Sequence, residues 1–200
     1  MHISEGILSA PVLISGALLT ATGTAIGLKK LNIDRIMGVS MLTGAFFVAS
    51  LIHVPIGPAS IHLVLNGLLG MILGWASFPA ILVGLLLQAI FFQYGGLMVL
   101  GVNTATMAIP AVVCCYLLRP LLLNERTRML AGFLGGAGAI FLSALCMAAA
   151  LAFSDIGFLT TAKLTILANL PIMLIEGVVT MFTVSFLARV HPDLLNGGHQ

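Results

Sequence analysis

Residues 7–30 read ILSAPVLISGALLTATGTAIGLKK, an apolar run that stops at two lysines. A helix needs about 20 mostly apolar residues to cross a bilayer, so this run is long enough to do so. Hydrophobic residues make up 60% of the 200-residue chain, charged residues make up 7%, and the mean hydropathy is +1.18. Soluble domains do not have such a composition. The sequence therefore predicts an integral membrane protein.

Further apolar runs follow, separated by prolines and by short polar or charged loops. They predict an all-α bundle of seven transmembrane helices that forms a single membrane domain, residues 1–200. The loops between the runs leave no room for a second, soluble domain. The predicted spans are residues 7–28, 36–54, 61–77, 79–92, 97–118, 129–153 and 167–187.

The basic residues predict the orientation of these spans. When the N-terminus is placed outside, seven of the eight Lys and Arg residues fall on the cytoplasmic side, and only Lys163 falls outside. Because Lys and Arg concentrate in cytoplasmic loops, we expect an outer N-terminus and a cytoplasmic C-terminus. The net charge of +2 is too small to indicate a nucleic-acid partner.

The first six residues, Met1-His2-Ile3-Ser4-Glu5-Gly6, are interpreted as a metal-binding hook. A free Met1 amine, the His2 amide nitrogen and the His2 ring Nδ1 close two adjacent chelate rings and lie in one plane. A further imidazole completes the square of nitrogens that suits Ni(II) or Cu(II). The alternative is a loose terminus with an incidental histidine. Because this leader carries Glu5 and no Lys or Arg, a cleaved signal peptide is not expected.

Two histidines beside the predicted outer loop are candidates for the additional imidazole. His62 lies one turn into a predicted helix and can point into the bundle, which favours it as a ligand. His53 precedes Pro55 and is either a ligand or a contact for lipid headgroups. A histidine at membrane depth suggests function because an unpaired polar ring is costly there. The predicted ligands are therefore Met1, His2 and His62.

Other polar residues of the predicted outer half are candidates for orienting these ligands. Each one either accepts the proton on the far nitrogen of an imidazole or makes an ordinary hydrogen bond between helices. Glu176, the only carboxylate deep in a predicted span, either interacts with the bound cation or braces the bundle, and Glu5 is expected to balance the charge of a divalent ion. The remaining candidates are Asn66, Gln88, Gln93 and Asn103.

Small residues recur at four-residue spacing, which allows helix backbones to approach closely in lipid. Internal packing is expected for most of them, including the pairs Gly70/Gly74 and Gly132/Gly136. The set in the first span, here named the alanine stripe, is also a candidate face for docking a membrane partner; it consists of Ala17, Ala21 and Ala25. Three cysteines within apolar runs are expected to be packing residues rather than disulfides: Cys114, Cys115 and Cys146.

Several motifs do not occur in the sequence. It contains no G-x-x-x-x-G-K-[ST] phosphate loop, so the chain is not expected to hydrolyse ATP by itself. It contains no H-E-x-x-H motif and no nucleophile elbow, so enzyme activity has little support. Three hypotheses remain: a metal-capture subunit that needs partners, a stand-alone secondary permease, and a membrane assembly protein whose terminal histidine is accidental.

Three segments resemble the CbiM/NikM family, the metal-specific S components of energy-coupling-factor (ECF) importers for cobalt and nickel. The segments are residues 1–6, 62–67 and 88–103, and the likeness covers essentially the whole chain. The resemblance implies a seven-helix bundle into which the N-terminus inserts. It also implies that the Met1 amine, His2 and His62 hold Ni²⁺ or Co²⁺ as the transported substrate.

The resemblance further implies partners in a bacterial or archaeal cytoplasmic membrane. These are a transmembrane coupling (T) protein and a pair of cytoplasmic ATPases, while the need for a small accessory membrane subunit stays open. Family members are thought to topple in the membrane, using small-residue helix faces as contacts. Cobalt-type relatives differ from this chain at Ser4-Glu5 and near His53, which leaves the metal open, although planar nitrogen coordination favours nickel.

Overall fold

The computed structural model describes residues 3–56 and 59–196, and helices dominate this part of the chain. Short 3-10 turns, Ile33–Arg35, Gly74–Ala76 and Ile156–Phe158, connect some of them. The helices are α1 (Ala10–Lys29), α2 (Ile36–Ala49), α3 (Asn66–Leu73), α4 (Ser77–Phe92), α5 (Leu100–Leu123), α6 (Arg128–Ser154), α7 (Leu159–Ala168), α8 (Leu170–Val190) and α9 (Pro192–Asn196), and the strands β1 (His53–Ile56) and β2 (Ala59–His62) pair antiparallel. The predicted helical architecture is confirmed, with one added hairpin.

Five segments of the described chain are long and apolar enough to cross a membrane, judged by length and composition. Four of them overlap closely with the predicted first, fifth, sixth and seventh spans. This finding supports a multi-pass membrane protein, while the exact count of seven spans stays a prediction. The five segments are Ala10–Lys29, Asn66–Phe92, Leu100–Leu123, Arg128–Ser154 and Leu170–Val190. The second of them contains both α3 and α4, between which the chain reverses.

The predicted span 36–54 is too long at its C-terminal end. Helix α2 stops at Ala49, and the chain turns into the β1–β2 hairpin. Proline has no N–H to continue a helix, and β-branched residues favour extended backbone. Pro55 and Pro58 lie among Val54, Ile56 and Ile61, so this stretch favours a hairpin over a helix.

The predicted span 61–77 is also different from the observed structure. It begins in strand β2, and its helix starts only at Asn66. Helix α3 contains eight residues, and at 1.5 Å per residue it is about 12 Å long. All eight residues of α3 are buried, so this short helix lies inside the bundle. Non-helical backbone leading to α3 is tolerated because other helices surround it.

Helices α3 and α4 run in opposite directions. At the turn between them, Gly74 has a φ of 55° and a ψ of −124°, which strongly favours glycine. The Ser9 N–H donates to Ser154 Oγ at 3.1 Å, so α1 begins and α6 ends at the same end of the bundle, here named the Ser9 end. Along α6, Gly136 lies against the start of α3 and Gly135 against Met71, so α3 runs away from the Ser9 end.

Helix α4 runs back toward the Ser9 end along α1. Trp75, just before α4, lies against Gly27 near the end of α1, whereas Phe78 lies against Gly23, one turn closer to the Ser9 end. The predicted boundary between the third and fourth spans therefore coincides with a real reversal of the chain. The reversal lies a few residues earlier than predicted, at the glycine that can adopt the required backbone conformation.

Small residues bring the helix backbones together at several crossings. A Cβ atom on Gly70 would overlap the backbone of Ala111 in α5, and one on Gly132 would overlap Met181 in α8. A Cβ on Gly136 would overlap the backbone of Glu176. Internal packing is therefore confirmed for these three glycines.

The alanine stripe does not face the bundle. The buried residues of α1 are Gly16, Thr20, Gly23 and Gly27, which pack against α4 and α5. Ala17, Ala21 and Ala25 are all exposed. Their exposure leaves them available to a partner in the membrane, as the docking hypothesis requires.

Candidate metal site

The segment that precedes α1 is fixed to the first turn of α5. The Ile3 N–H donates to Asn103 Oδ1 at 3.1 Å, and Asn103 Nδ2 donates to the Ile3 carbonyl at 3.1 Å. The two residues are buried, with Ile3 only 3% exposed. A side-chain amide that pairs with both the N–H and the carbonyl of one residue holds that residue in position and orientation. Asn103 therefore clamps the backbone at Ile3.

A second contact holds the same segment at Glu5. Glu5 Oε1 accepts a hydrogen bond from the Met98 N–H at 3.0 Å. The Glu5 side chain lies against Gly96, where a Cβ would overlap its carboxylate, and Gly96 has a φ of 129°. The loop between α4 and α5 thus forms a cradle for Glu5 that requires glycine. Its predicted role in balancing the charge of a metal stays untested.

An apolar cluster completes the attachment of the N-terminal segment. Ile3 and Leu8 pack with side chains from the first turn of α5 and the last turns of α6. Within a membrane bundle, close packing of side chains joins such segments. Residues 3–8 are therefore part of the folded bundle. The partners in this cluster are Val99, Val102, Met147 and Leu151.

The predicted ligand His62 ends strand β2 and is half-buried. Its Nδ1 lies 3.1 Å from the carbonyl oxygen of the next residue, Leu63. If Nδ1 carries the proton and donates to that carbonyl, Nε2 is the nitrogen with the lone pair that a metal needs. Val64 follows and is 1% exposed, so the chain beyond His62 enters the core at once.

A carboxylate from α8 binds the backbone of this loop. Glu176 is fully buried, and its Oε1 accepts hydrogen bonds from the N–H groups of Val64 and Leu65, the latter at 2.9 Å. Leu65 has a φ of 54°, in the left-handed region that is uncommon for leucine. These contacts agree with the bracing role predicted for Glu176, and an interaction with a bound cation stays a prediction.

Asn66, the first residue of α3, joins three parts of the bundle. Its Nδ2 donates to the Met107 carbonyl of α5 at 3.1 Å and to Ser143 Oγ of α6 at 2.9 Å. Its Oδ1 accepts from the Gly67 N–H at 2.9 Å. Of the two roles considered for Asn66, the structure therefore supports ordinary hydrogen bonding between helices.

Helix α5 carries the anchors of both halves of the predicted site. Asn103 binds the N-terminal segment and Met107 binds Asn66 at the start of α3. Residues four apart in a helix lie on the same face, separated by about 6 Å along the axis. Ile3 and the start of α3, which follows the loop that carries His62, are thus both tied to one face of α5.

Two of the three predicted ligands lie outside the part of the chain that the structure describes. Met1 and His2 are outside the described residues, and so is the side chain of His53, whose backbone pairs with His62 in the hairpin. Within residues 3–56 and 59–196, no group of three His, Cys, Asp or Glu side chains is placed to hold a metal. The predicted site therefore requires Met1 and His2 and stays a prediction.

The last two predicted residues belong to α4 and its end. Gln88 is fully buried on the inner face of α4. Gln93 is exposed and follows the last residue of α4 with a φ of 58°, so its main observed role is to end the helix.

Several residues of this region were not predicted from the sequence. Ser143 and the carbonyl of Met107 bind Asn66, and Gly96 makes room for Glu5. The Gly95-Gly96 pair suggests a tight loop. A serine in an apolar helix and a backbone carbonyl give no such indication.

These features define a helical, multi-pass membrane protein whose N-terminal segment is anchored beside a buried loop. The model of the CbiM family, described as the cobalt uptake substrate-specific transmembrane region, matches residues 2–194. The chain therefore belongs to the CbiM family. The resemblance found in the sequence is confirmed.

Relatives across bacteria and archaea match almost the whole chain. The "Putative metal transport protein" of Haemophilus influenzae is 40% identical and covers 98% of this chain and 97% of its own length. The "Putative fused nickel transport protein NikMN" of Archaeoglobus fulgidus is 30% identical over 98% of this chain and 68% of its own length. The cobalt transport protein CbiM of Sorangium cellulosum is 29% identical, and the match covers 98% of this chain and 95% of that protein. The names include both metals.

A solved structure has the same fold. The crystal structure of a truncated transition metal transporter superposes with a TM-score of 0.83 at 26% identity. The match covers 96% of this chain and 100% of that chain. These relatives are metal transport proteins by name and not enzymes, which agrees with a role in transport.

Proposed function

We propose that this chain is the S component of an ECF-type importer and captures Ni²⁺ or Co²⁺ at its outer face. The ligands are the Met1 amine, His2 and His62. Nitrogen donors of this kind suit both metals, and a planar set favours nickel. The metal is the transported substrate, and the energy for its uptake comes from partner subunits.

The observation that carries this proposal is the pair of anchors on α5. Asn103 holds the backbone at Ile3, one residue after His2, and Met107 holds Asn66, four residues after His62. A site made from two distant parts of a chain gains affinity when both parts are ordered before the metal arrives. These anchors supply such order next to each proposed ligand.

The directions of the helices support seven passes with the N-terminus outside. Within the described residues, α1, α3, α5 and α8 run away from the Ser9 end, and α2, α4 and α6 run toward it. The proposed outer face is the Ser9 end. The basic loops after α1 and α5 then lie in the cytoplasm, in agreement with the positive-inside rule.

The interior of the bundle argues against a stand-alone permease. Below Asn66, α3 presents Gly67 and six further apolar residues, all buried. Below Asn66, α3 therefore offers a hydrated cation no polar side chain. We therefore propose that uptake requires a T protein and an ATPase pair, with the exposed alanine stripe on α1 as a docking face; an accessory membrane subunit is a further candidate partner.

Metal binding by the purified protein tests the site. Calorimetric titration with Ni²⁺ and Co²⁺ should show tight binding when Met1 has a free amine, and loss of binding when that amine is acetylated, because an acetylated nitrogen no longer serves as an amine ligand. His2→Ala and His62→Ala should also lose binding. His191→Ala is the matched control, since His191 is exposed beyond the end of α8. Unchanged affinity after acetylation of the Met1 amine would overturn the proposal.

Uptake into vesicles tests the partners. The protein alone, under a proton or sodium gradient, should not accumulate metal. Co-reconstitution with its T protein and ATPases should give ATP-dependent uptake. Gradient-driven uptake by the single protein would instead show a secondary permease.

A further inference from the structure

A buried carboxylate of α8 is the main polar partner of the loop that follows His62. Glu176 is 0% exposed. Its Oε1 accepts from the N–H groups of Val64 and Leu65, and its Oε2 accepts from Leu65 at 3.1 Å. A carboxylate within a membrane-spanning helix is costly to bury, so its partners indicate what it is for.

The loop needs an acceptor of this kind because it is non-helical backbone inside the bundle. The first N–H groups at a helix start have no partner within the helix. Leu65, which precedes α3, provides no side-chain cap. Glu176 supplies an acceptor from another helix for Val64 and Leu65, the two residues before α3, while Asn66 Oδ1 accepts from the Gly67 N–H within the first turn.

The Glu176 carboxylate binds the backbone N–H of Val64, which lies two residues after the proposed ligand His62. His62 is joined to Leu63 by its ring contact, and Val64 and Leu65 are held by Glu176. Beyond them, Asn66 is fixed to α5 and α6. Between His62 and α3, the position of the backbone is therefore fixed by the contacts of Glu176 and Asn66.

We propose that Glu176 is a positioning residue of the metal site: by binding the backbone of Val64 and Leu65, it sets the place of the His62 imidazole relative to the N-terminal segment. The inference rests on the proposed function. It differs from general bracing of the bundle, because it predicts a change at the metal that exceeds any change in stability.

The variant Glu176→Gln keeps the shape of the side chain and removes its charge and one acceptor oxygen. We expect it to fold, to bind Ni²⁺ and Co²⁺ about 10- to 100-fold more weakly, and to alter the visible absorption of bound Ni²⁺. The matched control is Thr180→Val, one turn further along α8 and equally buried. The control should retain both the affinity and the spectrum.

Wild-type affinity and spectrum in Glu176→Gln would overturn the positioning role and leave the proposed function intact. Absence of metal binding by the wild-type protein with its native terminus would overturn the proposed function, and the positioning role with it.

A measurement on the wild-type protein covers the case in which the variant does not fold. Amide hydrogen exchange at Val64 and Leu65 should slow when Ni²⁺ is added, because a bound His62 tightens the loop against Glu176. Amides in the middle of α6 serve as the reference and should not change. Equal exchange at Val64 and Leu65 with and without Ni²⁺ would refute the coupling between Glu176 and the metal.

Discussion

Replacement of Asn103 by alanine should separate folding of the bundle from docking of the N-terminal segment. The variant removes both hydrogen bonds to Ile3 and leaves its N–H and carbonyl buried without their partner. Each such orphaned group costs about 1–3 kcal/mol, and water that enters the gap recovers part of this. We estimate a net loss of about 2–4 kcal/mol in the docking of this segment.

This loss should be visible as weaker metal binding. A factor of ten in affinity corresponds to about 1.4 kcal/mol, so the estimate predicts a decrease of about 30-fold or more for Ni²⁺ or Co²⁺. Calorimetric titration of protein with an unmodified terminus measures the decrease. Thr106→Val is the control, because the Thr106 hydroxyl donates only within α5, to the Asn103 carbonyl at 3.0 Å. Binding by Asn103→Ala within about threefold of wild type would refute the idea that this clamp prepares the site.

Two further predictions concern the cradle and the alanine stripe. Gly96→Ala should weaken metal binding, because its Cβ would displace Glu5 and its φ of 129° disfavours alanine; Gly38→Ala in α2, where a Cβ meets nothing within 4 Å, should bind as wild type in the same titration. Ala21→Leu should leave metal binding unchanged and reduce ATP-dependent uptake with the partner subunits, because a large side chain prevents close approach of helices. Ala168→Leu, at an exposed position in α7, is its control in the uptake assay. Equal uptake by the two leucine variants would exclude the stripe as a docking face.

The long helices were predictable because their information is local. Each of the runs that became α1, α5, α6 and α8 is apolar over about 20 residues, which is the length that a bilayer requires. The region between α2 and α4 was not predicted correctly. Its residues are equally apolar, so hydropathy alone did not distinguish a hairpin and a short buried helix from two ordinary spans.

Several polar residues that the sequence singled out make buried hydrogen bonds in the structure, among them Asn66 and Asn103, but their individual partners were less predictable. Asn103 was expected either to orient an imidazole or to make an ordinary hydrogen bond between helices, and the structure shows it bound to the backbone of Ile3. Glu176 was expected to brace the bundle or face the cation, and its contacts are with loop backbone. Sequence shows that a buried amide or carboxylate needs a partner, because the cost of burial is general. It does not show which partner is within reach.

By itself, the sequence determined that this protein lies in a membrane, roughly where its long helices begin and end, and which few polar residues needed explanation. These properties depend on the free energy of transferring apolar side chains from water to lipid, which each segment's own composition sets. Only the tertiary structure decided that Ile3 meets Asn103, a hundred residues away, and that Glu176 meets the loop after His62. Such pairs depend on how the helices cross. The crossings are set by close contacts such as Gly70 on Ala111 and Gly136 on Glu176, which join segments that are distant in the chain.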